Sequence, residues 1–242
     1  NGGTGGNGWN GAWAAIGDHT TVQPQVLMDP NGLTNGDTQA ARMQATANLA
    51  DIPNFLTRAL PAITDTVYMS LLIRNVTGVD SGDFYSFLVS NGALGNTDAG
   101  LSIGIRNNAN NPFFTRVGGS TNGDTDNAAL ATAGVDFLLV AKFSKDGSSN
   151  YNRVDLFINP TSLAEPLVAN ATSISGVTGI NTLSLFSIRN FNPEAGDTVL
   201  FDNLRFATTF RDAIALVPEP STLALGLAGL LSLGARRRRA RV

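Results

Sequence analysis

Short runs of apolar residues alternate with polar clusters along most of this chain. Seven stretches read as strands: TVYMSLLIRNV (66–76), FYSFLVS (84–90), GLSIGIR (100–106), VDFLLVAKF (135–143), YNRVDLFIN (151–159), LSLFSIR (183–189) and VLFDNLRF (199–206). The linkers between them are rich in Asn, Gly, Asp, Ser and Pro, which accept turn geometry. The clearest pattern lies in 151–159. Val154, Leu156 and Ile158 point one way, Arg153, Asp155 and Asn159 the other, with Phe157 among the latter. A period of two is what a sheet with one wet face requires. KDGSSNYN (145–152) holds Asp-Gly between two strong strands and predicts a hairpin loop. No apolar pattern of helical period exceeds two turns, except that TTFRDAIA (208–215) predicts a short closing helix. No fixed-period repeat is visible, which excludes a solenoid or propeller. The pattern therefore predicts an all-β protein, an antiparallel two-sheet sandwich. NGGTGGNGWNGAW (1–13) is too glycine-rich for a helix. Trp9 and Trp13 are expected to anchor an entering strand, the alternative being a platform for stacking sugars.

Composition sharpens this picture. The 242 residues suit one large β domain and a tail. Charged residues make up 14%, and Lys142 and Lys145 are the only lysines. The last 25 residues hold five arginines and one acid, Glu219, leaving 11 basic against 18 acidic residues in 1–217. An acidic body lacks the basic face that phosphate neutralisation needs, so nucleic-acid binding is excluded. The absence of cysteine excludes disulfides, thiolate catalysis and cysteine-based zinc sites. The chain starts at Asn1 rather than at a methionine, and an amino-terminal export signal is expected upstream of it.

The tail has its own grammar. Pro218 and Pro220 flank Glu219 and bias the chain toward extended geometry. Ser221 to Ala235 follow, 15 residues without a charge. As a helix they would measure about 22 Å, short of the roughly 30 Å of bilayer hydrocarbon. Spanning would need local thinning or snorkelling of the flanking arginines. Arg236, Arg237, Arg238, Arg239 and Arg241 would stay cytoplasmic, which places the body outside. Pro-Glu-Pro, a short apolar run and a terminal arginine cluster, in that order, resemble the PEP-CTERM sorting signal of Gram-negative bacteria. The resemblance divides the chain into a sandwich domain (1–215) and a sorting signal with a hydrophobic helix (216–242). It implies an inner-membrane-anchored precursor whose tail an exosortase removes, and a mature protein at the cell surface or in extracellular polysaccharide.

Chemistry in the body is sparse. FLLVAKF (137–143), VDLFINPTSLAEP (154–166) and VLFDNLRFATTFRD (199–212) resemble concanavalin A-like, laminin-G-type jelly rolls. The resemblance implies two packed antiparallel sheets with a concave face, a fold that serves glycan binders and glycosidases alike. Paired catalytic carboxylates are not evident. Glu165 and Glu194 are the body's only glutamates, far apart in sequence, and Asp80 and Asp83 fall in a turn. The single histidine, His19, lies in a polar loop and reads as solvated rather than as part of a triad. NGDTDN (122–127) and DPNGLTNGD (29–37) lack the glycine and glutamate of a calcium loop and read as Asx turns.

Asp202 stands apart. Alternation over 199–206 groups it with Leu200, Leu204 and Phe206 on the predicted inner face. A buried carboxylate needs donors, an arginine or a cation. The jelly-roll resemblance implies a calcium ligand on this last strand, so Asp202 reads either as a ligand of structural calcium or as a hydrogen-bonded structural acid. Ile-Arg-Asn recurs at strand ends, giving Arg74 and Asn75, Arg106 and Asn107, Arg189 and Asn190. On one shared sheet these would form a rim of donors for sugar hydroxyls or uronates. The expectation is an exported, non-catalytic surface or matrix protein that binds polysaccharide. The alternative is an extracellular polysaccharide hydrolase or lyase with a non-standard site.

Overall fold

A computed structural model describes residues 10–16, 20–34, 36, 39–45, 54–77, 79, 82–92, 100–106, 112–118, 124–175 and 178–215. Trp9, His19, Asp80, Asn107 and the tail from Pro218 onward lie outside the described residues, and so does the predicted hydrophobic helix. Among the described residues no helix is long and apolar enough to cross a membrane.

Two seven-stranded sheets face each other, and every pairing is antiparallel. The first runs β1 (Asn10–Ile16), β4 (Asn54–Ile63), β13 (Leu183–Phe191), β6 (Phe84–Ser90), β7 (Leu101–Arg106), β8 (Pro112–Val117) and β9 (Asp124–Leu130). The second runs β12 (Ala171–Ile174), β11 (Arg153–Ile158), β10 (Asp136–Ser144), β5 (Val67–Asn75), β14 (Thr198–Ala207), β3 (Ala40–Gln44) and β2 (Thr20–Gln23). This is the all-β antiparallel two-sheet sandwich that the apolar alternation predicts and the jelly roll that the resemblance implies. All seven predicted strands are present, and so is the hairpin loop between β10 and β11.

The core fills the space between the sheets. Met69, Leu71 and Ile73 of β5 meet Phe87, Ile103, Phe113 and Phe186 across it. Tyr68 and Leu72, on the other side of β5, enter a second cluster with Leu27, Leu138, Val140, Phe157 and Leu200. β5 is therefore buried on both faces, which explains why VYMSLLI shows no clean alternation while β11 does. The second cluster is closed by α1 (Phe210–Ile214), whose Phe210, Ala213 and Ile214 lie against the outer side of the second sheet. Thr209 starts α1 by accepting the Asp212 N–H at 3.1 Å, and the Ser70 hydroxyl donates to the Ala213 carbonyl.

Sequence pattern missed the more polar strands. NGDTDN, read as a turn, contributes Asp124 to Asn127 to β9. β9 is an edge strand, and edge strands tolerate polar residues because only one side of the ladder is paired. β4 was hidden by Pro61 and Arg58, β12 by its length of four residues.

The chain's three tyrosines all end in positions that resist ionisation. Tyr151 is fully buried and donates to the Ile63 and Asp65 carbonyls, at 3.2 and 2.5 Å. Burial, then the Asp65 charge, pushes it up to about 12. Burial, then Glu165, raises Tyr68; burial, then three carboxylates, raises Tyr85 far above the ordinary range. The unfolded chain loses phenolic protons near pH 10, where the folded chain still holds them. Fewer bound protons in the unfolded state means stability falls as pH rises. This contribution is complete below about pH 10 and is lost as pH climbs toward the folded values. Tyrosinate absorbance and circular dichroism should therefore change together, in one cooperative step. Three phenols titrating near pH 10 in a still-folded chain would refute this placement.

Candidate functional site

A cleft of about 400 Å³ opens over the outer side of β10 and β11. Lys142, Lys145, Asp146, Arg153, Asp155 and Glu165 line it, with Leu167 at its rim. Strand alternation makes the floor: Lys142 and Asp155 are register partners on the two strands, and their side chains share the outer face. The hairpin loop brings Lys145 and Asp146, and the 159–170 connection brings Glu165 and Leu167. Both lysines of the chain thus stand in one cleft. Sequence reasoning missed this site, although the confinement of lysine to 142 and 145 was a usable signal.

Each charge in the cleft is held. Lys142 Nζ donates to Glu165 Oε1 at 2.7 Å, and the Tyr68 hydroxyl donates to Glu165 Oε2 at 2.6 Å. Arg153 Nε donates to Asp155 Oδ2 at 2.8 Å, its Nη1 to Asp146 Oδ2 at 3.0 Å. Thr172 Oγ1 donates to Asp155 Oδ1 at 2.6 Å. The lysines also rest on tyrosines, Lys142 Nζ 5.6 Å from the Tyr68 ring centre and Lys145 Nζ 5.0 Å from that of Tyr151. Burial alone would lower Lys142; the bonds to Glu165 and Tyr68 outweigh it and raise its pKa. The bond to Asp155 raises Arg153 against burial. Lys142 and Arg153 therefore stay cationic, and Tyr68 stays neutral. The cleft offers fixed donors and acceptors side by side, and Tyr68 is a poor proton abstractor.

The Ile-Arg-Asn residues do not form one rim. Arg74 and Asn75 end β5 in the second sheet, whereas Arg106 ends β7 and Arg189 and Asn190 lie in β13, both in the first. Successive strand residues also face opposite sides, so an Arg-Asn pair cannot present both side chains to one surface. Asn75 and Asn190 are accordingly buried. Asn75 Nδ2 donates to the Ala131 carbonyl at 3.1 Å. Arg74 forks onto Asp136 through Nε at 2.5 Å and Nη2 at 2.8 Å, which raises its pKa. Arg106 and Arg189 do come together on the outer side of the first sheet, joined by Arg116. Arg189 lies 4.8 Å from the Phe84 ring centre, Arg116 5.6 Å from it, and Arg106 5.3 Å from that of Phe114. Burial lowers Arg189 to about 10.

Asp202 is not on the inner face. Leu200 belongs to the outer cluster, and Asp202 shares its side, opposite Leu72 of β5. The register shifts between Asp202 and Arg205, where Asn203 adopts φ 52°, a bulge that reverses the alternation. Leu204 and Phe206 then turn into the inter-sheet core. Asp202 is half-buried and accepts the Asn203 N–H at 2.6 Å. Among the described residues, the three carboxylates close enough to share a metal ion are Asp83, Glu194 and Asp197, with ligand atoms within 4.8 Å of one another.

Fold and tail together define an exported β-sandwich protein. Residues 216–239 match the PEP-CTERM protein-sorting motif, and the chain carries that motif where Pro218-Glu219-Pro220 and the arginine cluster stand. The motif implies an extracytoplasmic protein made as a membrane-anchored precursor and sorted by an exosortase. No curated protein matches the chain. Among solved structures, the alginate lyase Aly36B is similar at 11% identity and TM-score 0.49, covering 73% of this chain and 83% of that one. Cip1, a cellulose-induced protein, is similar at 14% identity and TM-score 0.48, covering 81% and 91%. The carbohydrate recognition domain of Emp46p is similar at 9% identity and TM-score 0.46, covering 82% and 89%.

Proposed function

We propose that this chain is a surface or matrix protein of a Gram-negative bacterium whose sandwich binds polysaccharide without cleaving it, through the cleft over β10 and β11. The observation that carries this reading is the convergence of Lys142, Lys145, Arg153, Asp146, Asp155 and Glu165 in one open cleft. A sugar chain presents hydroxyls that both donate and accept, and a set of fixed cations and carboxylates answers both needs. Leu167, fully exposed on the rim, gives apolar contact for the C–H face of a sugar ring. Lys145, whose ammonium rests on the Tyr151 ring while the other two cations are paired with carboxylates, suits an acidic group on the sugar chain. The reading as a binder rests on the chemistry of the cleft: Tyr68 is held neutral, and each carboxylate is engaged by a lysine or arginine.

Co-sedimentation of the full chain with purified acidic and neutral polysaccharides tests this. Saturable pelleting with an acidic polymer is expected, and Lys142→Ala with Lys145→Ala should weaken it about tenfold, about 1.4 kcal/mol. Arg106→Ala should leave it unchanged. Loss in Arg106→Ala alone would move the site to the first sheet. No pelleting with any polymer would reject binding, and release of new chain ends would reject the non-catalytic reading.

A further inference from the structure

We infer that Asp83, Glu194 and Asp197, completed by the Tyr85 hydroxyl and the Asn190 side-chain oxygen, form a site for a divalent cation of the calcium type. The site is independent of the cleft and of Asp202. Asp83 precedes β6, while Glu194 and Asp197 sit in the turn between β13 and β14. Three carboxylate oxygens lie within 4.8 Å of one another, close enough to converge on one cation after side-chain shifts of a few tenths of an ångström, calcium–oxygen distances being about 2.3–2.6 Å.

Two buried oxygens point to a missing partner. Tyr85 is 1% exposed and its hydroxyl has no hydrogen-bond partner. After burial, the charges acting on that hydroxyl are those of Asp197, Asp83 and Glu194, so it lies within their electrostatic reach, and Asp83, two residues before Tyr85 along the strand direction, falls on the same side. Asn190 is 3% exposed, and its side-chain oxygen also has no partner. Asn190 and Tyr85 are register partners on β13 and β6, which puts their side chains next to each other on the same inner face. A phenol left unbonded in a core is costly, as is an unbonded amide oxygen. A cation with bound water beside the carboxylates satisfies both. The donors are oxygens only, which selects a hard cation over zinc or copper.

The scaffold is set for this role. Asn192 Nδ2 donates to Asp83 Oδ1 at 3.1 Å, fastening the segment before β6 to the turn after β13. The Glu194 N–H donates to Asp197 Oδ2 at 2.7 Å, and the Asp197 N–H returns to the Glu194 carbonyl at 3.0 Å. The Ala45 N–H reaches the Asp197 carbonyl at 3.1 Å, and the Gly196 N–H reaches the Ala45 carbonyl at 3.0 Å. A cation here would tie β6 and β13 of one sheet to β14 and β3 of the other.

Calcium and terbium titrations of the full chain, with thermal melts, test the site. Calcium at about a hundred times its Kd should raise Tm by about 5–10 °C. Terbium should show tyrosine-sensitised emission that calcium displaces, and Tyr85→Phe should remove most of it. Asp197→Asn or Glu194→Gln should weaken calcium binding about tenfold or more, while Asp202→Asn leaves it unchanged. These are isosteric changes on a half-buried turn, and each serves as a check if the other fails to fold. No calcium-dependent change in Tm together with no displaceable emission would overturn the site. So would binding that survives Asp197→Asn and Glu194→Gln but is lost in Asp202→Asn. Polysaccharide pelleting is read separately, so neither proposal falls with the other.

Discussion

Gly104→Ala is expected to destabilise the sandwich by about 3 kcal/mol or more, enough to lower Tm by roughly 6–12 °C. Gly104 sits in the middle of β7, between Ser86 of β6 and Phe114 of β8. A methyl group there would fall inside the contact distance of the Tyr85 carbonyl oxygen, 2.8 Å from Phe114 Cε1 and 2.9 Å from Ser86 Cα. Two of these three atoms are backbone, so no side-chain rotation relieves the clash. β6 and β7 would have to part, and the sheet would lose its central ladder. Gly134→Ala is the comparison that separates crowding from backbone strain. Gly134 has φ +78° but open space around it, so alanine costs only about 1–2 kcal/mol. Denaturant melts of both variants decide the matter. Equal, small losses would mean that the close approach at Gly104 is not real.

Phe210→Ala is expected to cost about 3–5 kcal/mol. Phe210 is buried under α1 and meets two rings edge-on, Tyr68 at 6.0 Å and Phe157 at 5.4 Å between centroids. Each such pair adds about 0.5–1.5 kcal/mol beyond the area it buries. The helix has five residues and cannot persist by itself, because a helix of that length has barely passed nucleation. Its buried side chains, of which Phe210 is the largest beside Ile214 and Ala213, therefore decide whether it stays on the sheet. The effect should reach the cleft as well, since Tyr68 is one of the two residues that bond Glu165. Phe210→Leu should recover most of the loss. A truncation to alanine that leaves the melt unchanged would mean that α1 contributes nothing to closing the second cluster.

Local sequence pattern was enough for the sandwich and for the sorting motif. Strands such as β11 announced themselves because their alternate residues face a core, and burial on one side imposes a period of two, while β5, buried on both faces, stood out as a continuous apolar run. The tail was legible because its three features are local: a Pro-Glu-Pro triplet, an uncharged run and an arginine cluster need no folded partner to be recognised. Strands such as β9 and β12 stayed hidden because an edge position or a short length leaves little apolar pattern. Pairing was beyond reach for a different reason. Which sheet a strand joins is fixed by contacts far apart in sequence, and only the structure separated Arg74 from Arg106 and Arg189. A single extra residue at Asn203 reversed the facing of everything after it, and no local pattern marked that bulge in advance. The cleft and the carboxylate group are likewise products of tertiary structure. Lys142 meets Glu165, and Asp83 meets Glu194 and Asp197, only after strands from separate parts of the chain have paired.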